Sequence, residues 1–161
     1  MCIKPNVPNP SSSSPIARKL DPTNKDRTIE RIYHAVVHGA PSARSGTVKA
    51  RIQETKDMRV RLVKDGKRAG REAITHWELV ERGTTHSLIR IKIDTGRRAQ
   101  IRLHMANMGC PVAGDTRHGW GKASVNRLCL HASSLTFDHP NGERMTVQSD
   151  LPRALSTELA R

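Results

Sequence analysis

Leu88-Ile89-Arg90-Ile91-Lys92-Ile93-Asp94-Thr95-Gly96-Arg97-Arg98-Ala99-Gln100-Ile101-Arg102-Leu103-His104 is the stretch whose reading decides the fold of this 161-residue chain. Isoleucines at 89, 91 and 93 alternate with Arg90 and Lys92, the period of a strand with one face buried. Thr95-Gly96 ends the alternation as a turn, and Gln100, Ile101, His104, Met105 and Met108 then recur at helical spacing. The pattern predicts strand, basic turn and short helix, with Arg97, Arg98 and Arg102 gathered where strand hands over to helix. Free N–H groups at a helix start favour anions, and guanidinium forks match phosphate and carboxylate oxygens, so this junction is the chain's strongest candidate anion site.

Working outward, the pattern predicts strands at 31–37, 46–52, 58–63, 75–82, 87–93, 134–137 and 144–147. Lys64-Asp65-Gly66-Lys67 and His139-Pro140-Asn141-Gly142-Glu143 read as turns, and residues 129–132 as a short turn or helical piece. Mostly strands with one or two helices make an α+β domain around a mixed or antiparallel sheet. The patterned region spans 25–155. Residues 1–24, which include Ser11-Ser12-Ser13-Ser14-Pro15, read as a disordered Pro/Ser-rich tail, and 156–161 as a C-terminal tail.

Lys and Arg total 28 against 15 Asp and Glu, giving a net charge of +13. That excess points to a polyanionic partner, and charges spread along strands and turns suit a nucleic acid better than a membrane surface. No apolar run approaches the roughly 20 residues of a spanning helix. Cys2, Cys110 and Cys129 lack C-x-x-C spacing, which argues against a disulfide framework and a zinc site; the eight histidines lack metal-ligand spacing. No cofactor or metal is implied. The N-terminus has no apolar secretory core, so a cytoplasmic location is expected.

The stretch Thr95-Gly96-Arg97-Arg98-Ala99-Gln100-Ile101-Arg102-Leu103-His104, continued by Gly109-Cys110-Pro111-Val112-Ala113-Gly114-Asp115, resembles the T-G-R-x-H-Q-I-R-x-H and G-x-P-x-x-G-D motif of the RluA family of RNA pseudouridine synthases. Ala99 stands where that motif has His. The resemblance runs from residue 27 to about 153: Arg31-Ile32-Tyr33-His34-Ala35-Val36-Val37-His38-Gly39 is similar to K-x-Y-x-A-L-V-x-G, and Leu130-His131-Ala132 through Gly142-Glu143 to L-H-A-x-x-L-x-F-x-H-P-x-x-G-E. It implies a pseudouridine synthase domain acting on RNA, ribosomal or transfer. Tyr33 would stack on a flipped uracil and assist proton removal, and Arg102 would pair with a catalytic carboxylate. Arg97 and Arg98, with Arg90 and Lys92 on the preceding strand, would contact the nucleic acid.

The family's nucleophilic Asp sits in H-R-L-D-x-x-T-S-G, well before the Tyr motif, and this chain's sequence contains no such segment. The lookalike Ala17-Arg18-Lys19-Leu20-Asp21-Pro22-Thr23 has the wrong spacing, and Asp21 lies only twelve positions before Tyr33. The expectation is therefore a truncated synthase domain, nearly inert alone and marginally stable, working with a complementary N-terminal polypeptide. In that reading Arg102 is a cation without its anion. The alternative is a non-catalytic basic RNA-binding remnant.

The remaining candidates carry structural readings. His104 and His131 read as hydrogen-bonded structural histidines, Cys110 as a buried small residue, Trp77 as core and Asp115 as a cap or turn residue. Trp120 is open between base stacking and structure. For Lys49, Arg51, Arg59, Arg61 and Lys64 an RNA groove and a solvated face are equally open readings.

Overall fold

The computed structural model describes residues 29–57, 59–63, 69–119 and 125–161. Seven strands are formed: β1 (Glu30–His38), β2 (Ser45–Glu54), β3 (Val60–Val63), β4 (Arg71–Arg82), β5 (His86–Ile93), β6 (Leu130–Asp138) and β7 (Arg144–Gln148). Two helices accompany them, α1 (Gln100–Asn107) and α2 (Arg153–Leu159). The strands make one sheet in the order β3-β2-β4-β5-β1-β6-β7, every pair antiparallel. This is the α+β domain anticipated, with a purely antiparallel sheet.

The isoleucine alternation behaves as its period requires. Ile89, Ile91 and Ile93 are buried, while Arg90 is exposed and Lys92 half-exposed. Cross-strand partners share a face, so one face can be traced along a row: Gly46 opposite Trp77, Trp77 opposite Ile91, Ile91 opposite Tyr33, and Tyr33 opposite Ala132. Helix α1 lies on this face, because its Gln100 and His104 both reach Thr75, the partner of Ile93. Helix α2 lies on the other face, where its Glu158 meets His86, whose partner is His38. The main core, including Ala35, Ile89, Ile91, Trp77, Ile101, Met105, Val112 and Leu155, forms between these layers. Trp77 is core, as anticipated.

Two expectations are corrected. Residues 129–132 are no separate turn: Leu130, His131 and Ala132 begin β6, extended by pairing with Ala35, His34 and Tyr33 of β1. Residues 156–159 are no tail either. They complete α2, with Leu155 and Leu159 packed into the core and Glu158 buried beside His86. The 1–24 tail and the 64–67 turn lie outside the described residues.

Candidate active site

Helix α1 starts without a capping side chain. Its start is fixed instead by Gln100, which is 3% exposed. The Gln100 Oε1 accepts from Thr95 Oγ1 (2.8 Å) and from the Arg97 N–H (3.0 Å). Its Nε2 donates to the Ile74 carbonyl (2.9 Å) and Thr75 Oγ1 (3.0 Å). Thr95 Oγ1 in turn accepts the Ile74 N–H. One side chain thus welds the basic turn, the strand β4 and the helix, with every amide valence satisfied, the condition under which a buried polar group is tolerated.

Between Arg98 and Gln100 the backbone passes through Ala99 at φ 53°, the only non-glycine residue with positive φ among the described residues. A side chain in this left-handed region costs roughly 1–2 kcal/mol. Replacing Ala99 by Gly removes that strain but adds freedom to the unfolded chain, so Ala99→Gly is expected to stabilise by about 0.5 kcal/mol, read from urea denaturation.

Arg102 projects from α1 into a bidentate pair with Asp115. Its Nε donates to Oδ2 at 2.8 Å and its Nη2 to Oδ1 at 2.6 Å. The Asp115 side chain is 1% exposed and also accepts the backbone N–H groups of Arg117 and His118. Burial pushes the Asp115 carboxyl up, but the guanidinium and the two N–H groups outweigh it and hold the carboxyl below its ordinary range. The same hydrogen bond raises Arg102. Arg102 thus has a carboxylate partner that the sequence reading did not foresee, and Asp115 does more than turn the chain: it caps the 115–118 turn and grips Arg102 by two of its nitrogens. The Nη1 group takes no part in that fork.

Gly114, at φ 77°, brings this loop close: a Cβ there would collide with the Arg127 carbonyl. His118, at the end of the turn, is lowered by burial and then by Arg102, and its buried Nε2 has no hydrogen-bond partner. His104 is a structural histidine, as anticipated: it is wholly buried, bonded to Thr75 Oγ1 through Nδ1, and lowered by burial to about 4. Cys110 is buried, also as read from the sequence. His131 bonds the Ser149 carbonyl. Trp120 and Lys64 lie outside the described residues.

The structure divides the six sequence candidates. Tyr33 and Arg102 lie on the α1 face of the sheet. Tyr33 packs against the core and lines a recess of about 340 Å³ with Arg31, Leu135 and Val147. Arg97 and Arg98 flank the start of α1, where Arg97 Nε donates to the Glu72 carbonyl and Arg98 pairs with Glu54 at 2.8 Å. Arg90 and Lys92 point through the opposite face, since their cross-strand partners are His34 and Glu78, and Ile32 and His76. There Lys92 reaches Glu30 at 3.4 Å and Arg90 reaches Glu78 at 3.9 Å. The chain thus does not bring Arg90 and Lys92 together with Arg102. Sequence reasoning passed over the Gln100–Thr95–Thr75 network and the Arg102–Asp115 pair; the polar residues at buried helix positions 100 and 104 were the available signal.

Tyr33 and the helix that carries the gripped Arg102 thus share one face of a seven-stranded antiparallel sheet. The family model for RNA pseudouridylate synthase matches residues 11–107. The chain belongs to this family, in its RluA branch. An uncharacterized RNA pseudouridine synthase of Bacillus subtilis, YlyB, is 38% identical over 133 residues, covering 81% of this chain and 43% of that protein. The ribosomal large subunit pseudouridine synthase D of Pseudomonas aeruginosa is 36% identical over 143 residues, covering 78% of this chain and 43% of its own length. The chain thus spans under half the length of these relatives. Among solved structures, human RNA pseudouridylate synthase domain containing 4 superposes with a TM-score of 0.66 at 23% identity, covering 81% of this chain and 61% of that one, a likeness of fold.

Proposed function

We propose that this chain supplies the substrate side of a site that isomerises uridine to pseudouridine in RNA, and that it is nearly inert without a carboxylate nucleophile brought from outside its own sequence. The observation that carries the reading is Arg102, held on the Tyr33 face by Asp115 through Nε and Nη2. An arginine so gripped keeps one orientation and can offer its remaining N–H groups to a second carboxylate. In the reaction the flipped base loses its N1–C1′ bond, rotates, and forms a C5–C1′ bond, and the C5 proton leaves to a base and then to solvent. Tyr33 is assigned to stacking and to proton removal, Arg102 to orienting the nucleophile. The nucleophile itself is not Asp115, whose oxygens are committed to Arg102 and two backbone N–H groups in a buried position.

Asp-dependent turnover is the test. RNA labelled with tritium at uracil C5 should release none with the chain alone, and should release it when a polypeptide bearing H-R-L-D-x-x-T-S-G is added. Absence of release in both cases removes the enzymatic reading and leaves the non-catalytic RNA-binding one.

Both readings require RNA contact. Arg97 and Arg98 are assigned to phosphates near the start of α1, while Arg90 and Lys92, facing away and lying near acids, are assigned a weaker part. Affinity for a single-stranded RNA should fall linearly in log salt as phosphate contacts release counterions. The double change Arg97→Glu and Arg98→Glu should flatten that slope by about 1–2 units, measured by filter binding from 50 to 200 mM salt. Among the described residues no helix is long and apolar enough to cross a membrane. A cytoplasmic location is part of the proposal, supported by the lack of paired cysteine spacing.

A further inference from the structure

Glu78, Arg90, His34 and His131 stand opposite one another on β4, β5, β1 and β6, so they form one row across the sheet face turned away from α1. Thr47, His76 and Lys92 form the next row, one two-residue step along the strands. Arg90, Lys92 and His76 keep 47%, 43% and 40% of their side-chain surface exposed, enough to meet an incoming anion. With Ser45, Thr47 and Glu78 they line a recess of about 440 Å³. His34 bonds Ser133 Oγ at 2.7 Å, and its ring is lowered by burial, then by Arg90 and His131 on either side. Like charges directly opposite one another are unfavourable in a sheet, and a bound polyanion offsets that cost. Acids stand nearby: Glu78 lies 3.9 Å from Arg90, Glu30 3.4 Å from Lys92 and Asp94 2.9 Å from His76. Exposed pairs of this kind hold weakly, so a polyanion can displace them.

We propose that this far face is a second RNA-binding surface, holding the phosphodiester chain of a segment outside the isomerase site. The inference goes beyond the functional reading above and rests on it only for the choice of RNA. The net charge of +13 selects a polyanion. The donors select phosphate: a guanidinium, an ammonium and the hydroxyls of Ser45 and Thr47 all give hydrogen bonds to phosphate oxygens. Among the described residues Tyr33, Trp77 and Phe137 all lie on the α1 face, so the far face has no Phe, Tyr or Trp ring on which a base could stack. Its grip is therefore on the backbone and indifferent to base sequence. Acid strengthens it. His34 faces Arg90, His131 and Ser133; His131 faces His34 and the Ser149 carbonyl; His76 faces Lys92, Thr47 and Asp94. A phosphate chain laid over these rings favours their protonated forms, so binding tightens as pH falls.

The test measures binding of oligoadenylate and oligouridylate, each about twelve nucleotides long, to the chain carrying Arg97→Glu and Arg98→Glu, which weaken the contacts beside α1. The two should bind within about threefold of one another. Arg90→Gln with Lys92→Gln should weaken both about tenfold and flatten the log-salt slope by about 2 units. From pH 8 to pH 6 binding should tighten at least threefold, and His34→Gln with His131→Gln should shrink that gain. In the unaltered chain, bound oligoadenylate should shield Lys92 from acetylation, a readout that depends on no variant. A pH gain untouched by the histidine changes, Lys92 left open to acetylation, or tighter binding of polyglutamate than of oligoadenylate would each overturn the inference, the last in favour of an acidic protein. Tritium release by the supplemented chain is read in parallel. Release without binding on the far face would sink this surface and spare the functional reading. Far-face binding without release would do the reverse.

Discussion

Replacing Asp115 by alanine is expected to cost the chain about 3 kcal/mol and to lower its melting temperature by about 10 °C. The ion pair is not itself a large source of stability, because removing two charges from water offsets most of their attraction. What costs is breaking it. Without Asp115, Arg102 keeps a side chain three-quarters buried and loses both acceptors, and the Arg117 and His118 N–H groups lose theirs. The low end of the usual range for a broken buried pair applies because Arg102 retains 25% exposure. Asp115→Asn, which keeps an oxygen for the two N–H groups, should cost less than the alanine change. The double change with Arg102→Ala should be milder than the sum of the singles by about 2 kcal/mol. Additive losses in urea denaturation would show that the two side chains do not depend on one another. The acid side follows from the same geometry. Asp115 titrates below its ordinary range when folded, so its contribution is present above about pH 4 and is lost as pH falls through the lowered value.

His104 predicts a separate loss at milder acidity. The ring is wholly buried, its Nε2 has no partner, and burial lowers it to about 4 from an ordinary 6.5. A group whose folded value is depressed adds stability above its unfolded value and loses it as pH falls towards the folded one. Stability should therefore drop by about 3 kcal/mol between pH 6.5 and 4 on account of His104 alone. His34, His38 and His118, lowered less strongly by burial, deepen the same slope. In His104→Leu the fall over this window should shrink by at least half, while the variant gives up about 1 kcal/mol at pH 7 for the lost bond to Thr75. An unaltered slope would show that His104 is already protonated in the folded chain.

The sequence made the sheet readable where residues alternate. Ile89, Ile91 and Ile93 announced β5 and its buried face, and the same rule located β1, β2 and β4 to within a few residues. It failed where burial does not follow one period. Leu130-His131-Ala132 carries no alternation of its own and is extended only because β1 lies beside it. Helix α2 buries just Leu155, Leu159 and Glu158, too few apolar positions to announce a helix, and the buried glutamate reads as a surface residue until His86 is placed against it. At the site, the motif marked Arg102 and Tyr33. Which sheet face each cation uses follows from parity along β5: Arg90 and Lys92 alternate with the buried isoleucines and so point away from α1. The Arg102–Asp115 pair spans a loop whose path depends on the close approach at Gly114, and no local pattern encodes that closure.

In the proposed function, Arg102 and Tyr33 form the substrate side of an isomerase site that needs a carboxylate from elsewhere. Tritium release from C5-labelled uridine in RNA, by the chain combined with an H-R-L-D-x-x-T-S-G polypeptide, tests it most directly when run with Arg102 intact and with Arg102→Gln. Release is expected from the intact combination, with a fall of at least a thousandfold in the variant and none from either component alone. Release by the chain alone, or an undiminished rate with Arg102→Gln, would contradict it.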